Sequence, residues 1–346
     1  MAREPAVSGD LLQMTVYVGE RARSGDRFTA DALLDVYDAE PVAHSIVVRG
    51  IAGFGPRHEL RSDVTLTGSE DPPIAVTAVD TAPTIRALAS RAVELVPRGL
   101  VTLESVQSAD GPLPGGPSVK VTAYVKRGHR TSGVLAYAAV CDVLHRHGFH
   151  AATALLGVDG TAGGRRQRAA FFSRNVTVPA VVVAVGPCTR AVEALDEVHG
   201  TPGVQMVTVA AVDVCKLDGT LVSQPSAVAG NDVLQKLTVQ TCASALYHGV
   251  PVHRALVARL REVHQSAGVT VLRGVWGSQG DTAPLADSLL RVGRRVPVST
   301  IVVDTHERIA AGFAVVDALT AQHGVVTVEP VPAAVSIDSG VRQGAL

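Results

Sequence analysis

The segment VVRGIAGFG, residues 47–55, places three glycines, Gly50, Gly53 and Gly55, directly after an apolar run. Glycines this close together could let a backbone loop cradle a phosphate group. However, the dinucleotide-binding fingerprint reads G-x-G-x-x-G and opens a helix, whereas this segment reads G-x-x-G-x-G and is followed by Pro56. The order of the glycines therefore favours a turn at the end of a strand.

Two arginines precede glycines of this kind. Arg49 stands before Gly50, and Arg273 stands before Gly274 in the related segment VLRGVWG. Beside a glycine the backbone can approach a ligand closely, and a guanidinium can hold a phosphate or carboxylate through two parallel hydrogen bonds. An inter-domain ion pair or a solvated side chain is the alternative for both arginines. The residues that we predict for an anionic-ligand site are Arg49, Gly50, Gly53, Gly55, Arg273, Gly274 and Gly277.

The loop GGRRQRAAFFSR, residues 163–174, is the densest basic patch of the chain, with Arg165, Arg166, Arg168 and Arg174. Such a patch can bind an anionic partner or nucleic acid. Because one short patch on a near-neutral protein gives modest affinity, a loop that docks against a neighbouring domain is the favoured interpretation.

Three further polar groupings have simpler explanations than catalysis or metal binding. The pairs Asp80-Thr81 and Asp304-Thr305 each precede an apolar-periodic helix, so helix capping explains them, and Asp304 with Glu307 resembles a capping box. His145, His147 and His150 lack an obvious completing ligand set, so no metal site is predicted. No established catalytic motif is present, and the sequence predicts neither an enzyme nor a bound cofactor, although a nucleotide stays open as a ligand.

The composition bounds the classes of partner. The chain has 346 residues, 47% of them hydrophobic and 18% charged, with a net charge of -1, so no long-range field would gather nucleic acid or an anionic membrane. No apolar run approaches the length that spans a bilayer, and the first ten residues lack a signal-peptide pattern, so a cytoplasmic location is expected. Four scattered cysteines favour buried free thiols.

The chain repeats itself three times. Thr15, Gly50, Pro73, Asp80 and Thr102 are separated by 35, 23, 7 and 22 positions. The corresponding residues of the second copy keep spacings of 35, 22, 7 and 22, and those of the third keep 36, 23, 7 and 23. Four spacings that agree within one residue predict a triplication. We place the domains at residues 11–107, 118–215 and 233–332, with the Gly- and Pro-rich linkers 108–117 and 216–232.

Each copy predicts the element order β-α-β-β-α-β, an α+β ferredoxin-like arrangement. That fold covers one face of its sheet with helices and leaves the other bare. The third strand is nevertheless apolar on both faces, as in IAVTAVD, residues 74–80, and AVVVAV, residues 180–185. Three units packed around a pseudo-threefold axis would bury the bare faces, so we predict an intramolecular pseudo-trimer.

These segments resemble a known family. TVYVGE (15–20), VRGIAGFG (48–55), VDT (79–81) and GLVTLE (99–104) resemble the PII-like domain-of-unknown-function family 190. The third copy matches through YHG (247–249), VLRG (271–274) and VDT (303–305), and the second copy is the most diverged. The resemblance covers nearly all of the chain outside the linkers and termini.

The resemblance implies a ferredoxin-like unit that trimerises as PII signalling proteins do, with small-molecule sites between units and a regulatory loop after the second strand. It also implies a link to ion transport, because family members are associated with fluoride-channel genes. In contrast to PII proteins, the loops VPRGL, HGTPGV and AQHGV contain no lysine, so ATP binding does not carry over.

The sequence thus predicts a non-catalytic regulatory protein that senses a small anionic ligand or nucleotide in inter-domain clefts and regulates a partner such as a membrane transporter or channel. Nucleic acid is not an expected partner. A structural scaffold whose clefts are empty, or an anion- or metal-dependent enzyme, are the alternatives.

Overall fold

The computed structural model describes residues 10–62, 71–169, 175–226, 234–262, 268–280, 282–286 and 296–346. Three successive units share one element order, as the repeat predicts. Domain 1 consists of strand Leu11–Gly19, helix α1 Thr29–Ala39, strands His44–Phe54 and Pro73–Thr81, helix α2 Ala82–Leu95 and strand Arg98–Ser108. Domain 2 consists of strand Ser118–Lys126, helix α3 Ala136–Arg146, strands Ala151–Leu156, Asp159–Ala162 and Pro179–Pro187, helix α4 Cys188–Gly200 and strand Val204–Ala211. Domain 3 consists of strand Leu234–Cys242, helix α5 Val252–Glu262, strands Val269–Arg273, Trp276–Gln279, Thr282–Ala286 and Pro297–Thr305, helix α6 His306–Leu319 and strand Val325–Val331.

The four main strands of each domain form one antiparallel sheet. The first strand lies between the third and the fourth, and the second strand lies outside the third. The threonines that mark the repeat are direct partners across the first and fourth strands. These pairs are Thr15 with Thr102, Thr122 with Thr208, and Thr238 with Thr327.

The two faces of each sheet have different neighbours because side chains alternate along a strand. In domain 1, Met14, Val16 and Val18 pack against the helices, together with Leu33 and Ile85. Domains 2 and 3 have equivalent cores of their own. The opposite faces meet in a fourth apolar cluster that draws residues from all three domains: Leu11, Ile46, Val48, Val79, Val106, Tyr124, Leu155, Val181, Ala210 and Leu272. Each bare face is therefore covered by the other two domains.

The domains also exchange strands in a ring. Beyond its first glycine, the second strand of each domain leaves its own sheet and pairs with the second strand of another. Domain 2 pairs with domain 1 through Asp159 and Val47, domain 3 with domain 2 through Ser278 and Ala152, and domain 1 with domain 3 through Phe54 and Val269. The ring closes within one chain.

The segment that follows each domain pairs with the fourth strand of the next. Residues 107–108 pair with domain 2, strand Asp213–Leu217 pairs with domain 3, and strand Ala333–Asp338 pairs with domain 1. Strand Val341–Ala345 then folds back on Ala333–Asp338 as a hairpin. The sequence reading assigned residues 216–232 wholly to a linker and gave residues beyond 332 no element. Within that stretch, Lys216 and Leu217 end strand Asp213–Leu217 and pair with the short strand Thr220–Leu221. Beyond residue 332 the structure adds the C-terminal hairpin.

Four buried charges lie where the three sheets meet. Lys236 contacts Glu104 and lies 2.9 Å from Glu329, while Lys120 contacts Glu329 and lies 3.5 Å from Glu104. Burial disfavours charge, but the two glutamates outweigh it and raise the pKa of Lys236. Burial is likewise outweighed at Glu329, whose pKa the two lysines lower. We call these residues the central quartet.

The central quartet is balanced in charge because one position of each kind is neutral. Gln13 occupies in domain 1 the position of Lys120 and Lys236, and it pairs in register with Glu104. Ala210 occupies the glutamate position in domain 2, opposite Lys120. A strict threefold repeat would place three lysines and three glutamates here, whereas this chain buries two of each.

In the part of the chain that the structure describes, no helix combines the length and apolar character needed to cross a bilayer.

Candidate functional site

A cleft of about 1150 Å³ lies between domains 1 and 3. Domain 1 supplies the end of its first strand at residues 17–19 and the loop after α2 at residues 97–100. Domain 3 supplies the end of its third strand and the start of α6, at residues 303–308, and part of its C-terminal hairpin. The volume suits a small organic ligand.

Four arginines line the cleft, and three of them contact carboxylates. Arg61 lies 2.8 Å from Asp71, Arg98 lies 2.9 Å from Asp338, and Arg308 lies 3.5 Å from Asp304. The fourth, Arg21, is exposed and has no ion-pair partner among the described residues. Its backbone N–H donates to Asp71 at 2.6 Å.

The lining carries a small excess of positive charge. Among the lining residues, four arginines face the carboxylates of Asp71, Asp304 and Glu307, which leaves one positive charge. Asp338, the partner of Arg98, lies outside the lining and also pairs with Arg57. Helix α6 adds the positive end of its dipole, because its first turn forms part of the wall. The electrostatics of the cleft therefore favour an anion.

Apolar side chains form the floor of the cleft. Tyr17, Leu100, Leu234, Ile301 and Val303 line it and belong to one cluster with Val331 and Ala334. A ligand that fills the cleft would thus meet apolar surface on one side and guanidinium groups on the other.

The start of α6 differs in detail from the predicted capping box. Thr305, not Asp304, occupies the cap position, and its hydroxyl accepts from the Arg308 backbone N–H at 3.4 Å. At the equivalent point of domain 1, Asp80 accepts from the backbone N–H of Ala43 at 2.6 Å. Asp80 therefore ties the second strand to the end of the third instead of capping α2.

The glycines predicted for a ligand site lie mainly where two backbones meet. A Cβ atom at Gly53 would collide with the carbonyl oxygen of Val269, and one at Gly277 would collide with that of Ala152. At Gly50 it would lie 2.8 Å from the carbonyl oxygen of Pro73. Gly274 is similarly crowded, with Pro297 at 2.9 Å. Close approach of strands explains why these positions are glycine.

The structure does not gather the seven predicted residues into one site. Gly55 lines the cleft between domains 1 and 3. Arg49 lies on the surface, 3.0 Å from Glu20, which agrees with the ion-pair alternative although both residues belong to domain 1. Arg273 is half-buried at the end of a second strand and lies outside the cleft lining. A ligand role for the two arginines stays a prediction.

The basic loop of domain 2 lies against helix α1 of domain 1. Arg166 lies 2.5 Å from Asp31, 2.8 Å from Asp35 and 2.7 Å from Asp159. Arg168 lies 3.2 Å from Asp31. Arg165 is exposed, and Arg174 lies outside the described residues. The described part of the loop is thus an inter-domain clasp.

Sequence reasoning missed the arginines of the cleft. Arg98 stands in VPRGL, which was set aside because it contains no lysine, yet an arginine can hold an anion as well. Arg308 received no predicted role, since only the helix that follows Asp304-Thr305 was predicted. The position of Arg308 two residues after a helix start was the available signal. The sequence did not show which domain would face this arginine.

The described residues contain no group of three metal-ligating side chains. Of the histidine cluster, His147 pairs with Glu197 at 3.0 Å.

Comparisons with known proteins place the chain in a family. Among solved structures, it is similar to aspartate kinase from Synechocystis at 13% identity with a TM-score of 0.24, over 94% of this chain and 44% of that one. The chain therefore spans less than half of that enzyme, and the likeness carries no argument about function. The DUF190 family, described as "Uncharacterized ACR", matches residues 11–108, 118–214 and 234–333. With three copies that together account for most of its length, the chain belongs to the DUF190 family.

Proposed function

We propose that the protein is a non-catalytic PII-like regulatory protein whose three ferredoxin-like domains form an intramolecular pseudo-trimer. It senses a small anionic ligand in the cleft between domains 1 and 3. The observation that carries the proposal is this cleft of about 1150 Å³, with four arginines and the start of α6 in its walls.

The chemistry of the walls selects the ligand class. Arg21 is available to a ligand without first breaking an ion pair within the described residues. A hydrogen bond between a guanidinium and a phosphate or carboxylate is roughly twice as strong as a neutral one, so anionic groups gain most here. The apolar floor suits a ligand with an aromatic or aliphatic body, and a nucleotide meets both requirements.

Two of the three carboxylates of the cleft, those of Asp71 and Asp304, are engaged in structural contacts, which favours binding over catalysis. Asp71 accepts from the backbone of Arg21 and contacts Arg61. Asp304 accepts from the backbone N–H of Thr305 at 2.9 Å and contacts Arg308. A general base would instead need a carboxylate aimed at the substrate.

Ligand binding would act on a partner because the cleft lies between domains 1 and 3, where the ring of exchanged strands closes. Its walls include the loop after the second strand of domain 1 and the C-terminal hairpin, so a ligand there bears on both. We expect a membrane transporter or channel as the partner and the cytoplasm as the location. The observable is ligand-dependent capture of such a partner by the purified chain.

A thermal-shift screen tests the ligand proposal. The panel contains nucleotides, nucleotide second messengers, small carboxylates and fluoride, and a ligand at 100 times its Kd stabilises the folded state by about 2.7 kcal/mol. The variant Arg308→Ala should abolish most of the shift. Its matched control is Arg190→Ala, since Arg190 is the third residue of α4 as Arg308 is of α6.

The control variant should keep the full shift. Stabilisation by no member of the panel would instead favour a scaffold. Equal losses of the thermal shift in Arg308→Ala and Arg190→Ala would mean that the ligand binds elsewhere.

A further inference from the structure

The three domain junctions occupy equivalent places in the repeat but differ in side-chain volume. We infer that the chain binds one ligand molecule, because residues at the other two junctions fill the space that is open between domains 1 and 3. This inference rests on the proposed function. His44 fills one junction, and Val214 with Leu217 fills the other. The strand pairings define the equivalent positions at the three junctions.

The first difference between the junctions lies at the start of the second strand. Gly268 lines the open cleft, as does Tyr17 in the first strand of domain 1. Strand register places His44 of domain 1 at the position equivalent to Gly268. His44 pairs with Val79 of the third strand. Val269 pairs with Val302, so Gly268, one residue earlier, lies level with Val303, the counterpart of Val79.

His44 is the plug of the junction between domains 1 and 2. Its ring stacks on Tyr124, the counterpart of Tyr17, with the centroids 5.4 Å apart and the planes 17° apart. His44 and Tyr124 are both buried. The ring of His129 also lies against Gly203 in the loop after α4, which corresponds to the loop at residues 97–100 in the wall of the open cleft. Aromatic side chains thus occupy this junction.

The second difference between the junctions lies in the strands that follow each domain. Ala334 and Ser336 of the C-terminal hairpin line the open cleft and pair with Thr102 and Leu100. At the junction of domains 2 and 3, the corresponding partners Thr327 and Val325 pair with Val214 and Leu217.

Val214 and Leu217 pack together with Val185 and Val212 in one apolar cluster. The backbone N–H of Asp218 closes the end of this junction by donating to the Gly324 carbonyl at 2.8 Å. Larger apolar side chains therefore replace the alanine and serine of the open cleft.

The consequence is a binding stoichiometry of one per chain without cooperativity between sites. Gly268, Ala334 and Ser336 are the residues that keep the cleft open. Gly268 is smaller than His44 at the junction of domains 1 and 2, and Ala334 and Ser336 are smaller than Val214 and Leu217 at the junction of domains 2 and 3. These positions determine where a ligand binds, whatever its identity.

The test counts bound 8-anilinonaphthalene-1-sulfonate on the full chain by equilibrium dialysis and fluorescence titration. This dye has one sulfonate and an apolar ring system, so it matches the walls and floor of the cleft. We expect one dye per chain. Closing variants should reduce its affinity at least tenfold: Gly268→His copies His44, and Ala334→Val with Ser336→Leu copies the other junction.

The opening variant His44→Gly should add a second dye site. Circular dichroism and a sedimentation profile establish that each variant is folded, and the double closing variant decides the matter if a histidine or glycine change unfolds the chain. No bound dye, two or three dyes on the unaltered chain, or full affinity in the double closing variant would overturn the inference. Because the dye replaces the natural ligand, a count of one can stand even if the thermal-shift screen finds no ligand.

Discussion

The central quartet allows a sharp prediction about stability. In the variant Lys236→Met, two buried glutamates would face only Lys120. The attraction across the 2.9 Å between Lys236 and Glu329 is about 6 kcal/mol at an effective dielectric constant of roughly 20. Part of this attraction offsets the cost of removing both ions from water. Loss of one partner from a buried ion cluster costs about 3–5 kcal/mol of unfolding free energy, which is the expected effect.

A second substitution should reverse most of that loss. With Glu104→Gln added to Lys236→Met, the quartet contains one lysine and one glutamate, and the contact between Lys120 and Glu329 is kept. We expect the double variant to recover more than half of the stability. Because Glu104→Gln alone leaves an excess lysine, it should be destabilising by itself.

Urea unfolding followed by circular dichroism measures these free energies. The control is Lys126→Met, at the end of the strand that contains Lys120 but outside the quartet, with an expected cost below about 1 kcal/mol. A cost below about 1 kcal/mol for Lys236→Met would refute the reasoning. So would a double variant whose loss equals the sum of the two single losses, since the charges would then act independently.

Further predictions concern pH, backbone crowding, the clasp and the mass. Burial, with a smaller effect of a nearby lysine, lowers the pKa of His44 from 6.5 to about 4. Between these pH values the unfolded chain binds a proton at His44 and the folded chain does not. The unfolding free energy should fall by about 3 kcal/mol between pH 6.5 and pH 4, and His44→Phe should flatten this profile. Gly53→Ala should cost more than about 2 kcal/mol in urea unfolding because its Cβ would meet the Val269 carbonyl, whereas Gly55→Ala, with open space around it, should cost less than about 1. Arg166→Met should lower the unfolding free energy by about 2–4 kcal/mol and should speed amide exchange in the domain 2 loop. An unchanged exchange rate would contradict the inter-domain clasp. Sedimentation should give a particle of 35.8 kDa, whereas an obligate trimer of whole chains with unassociated domains would contradict the intramolecular ring.

Local patterns were sufficient for the elements and the repeat. The spacing between Thr15 and Thr102 predicts the first and last strands because both residues lie at one level of the sheet, where they are direct partners. The two-sided apolar third strand likewise predicted that the bare faces would be covered, and the fourth cluster covers them. Periodicity reports burial, and burial is what these features share.

The cleft was beyond local patterns because its walls come from distant parts of the chain. Arg98 and Arg308 have no common motif, and only the ring brings them to one cavity. Strand Ala333–Asp338, which follows domain 3, was missed for the same reason, since it pairs with the fourth strand of domain 1. Glycines that looked suited to a phosphate, such as Gly53, are instead required by the approach of another backbone.

The most direct test of the account is a crystal structure of the chain with the anion that stabilises it most in the thermal-shift screen. The account predicts density for one ligand between domains 1 and 3, with its anionic group at Arg21 and Arg308 and its body on Leu100 and Ile301. Density at the junction of domains 1 and 2, or only on the outer surface near Arg49, would contradict it.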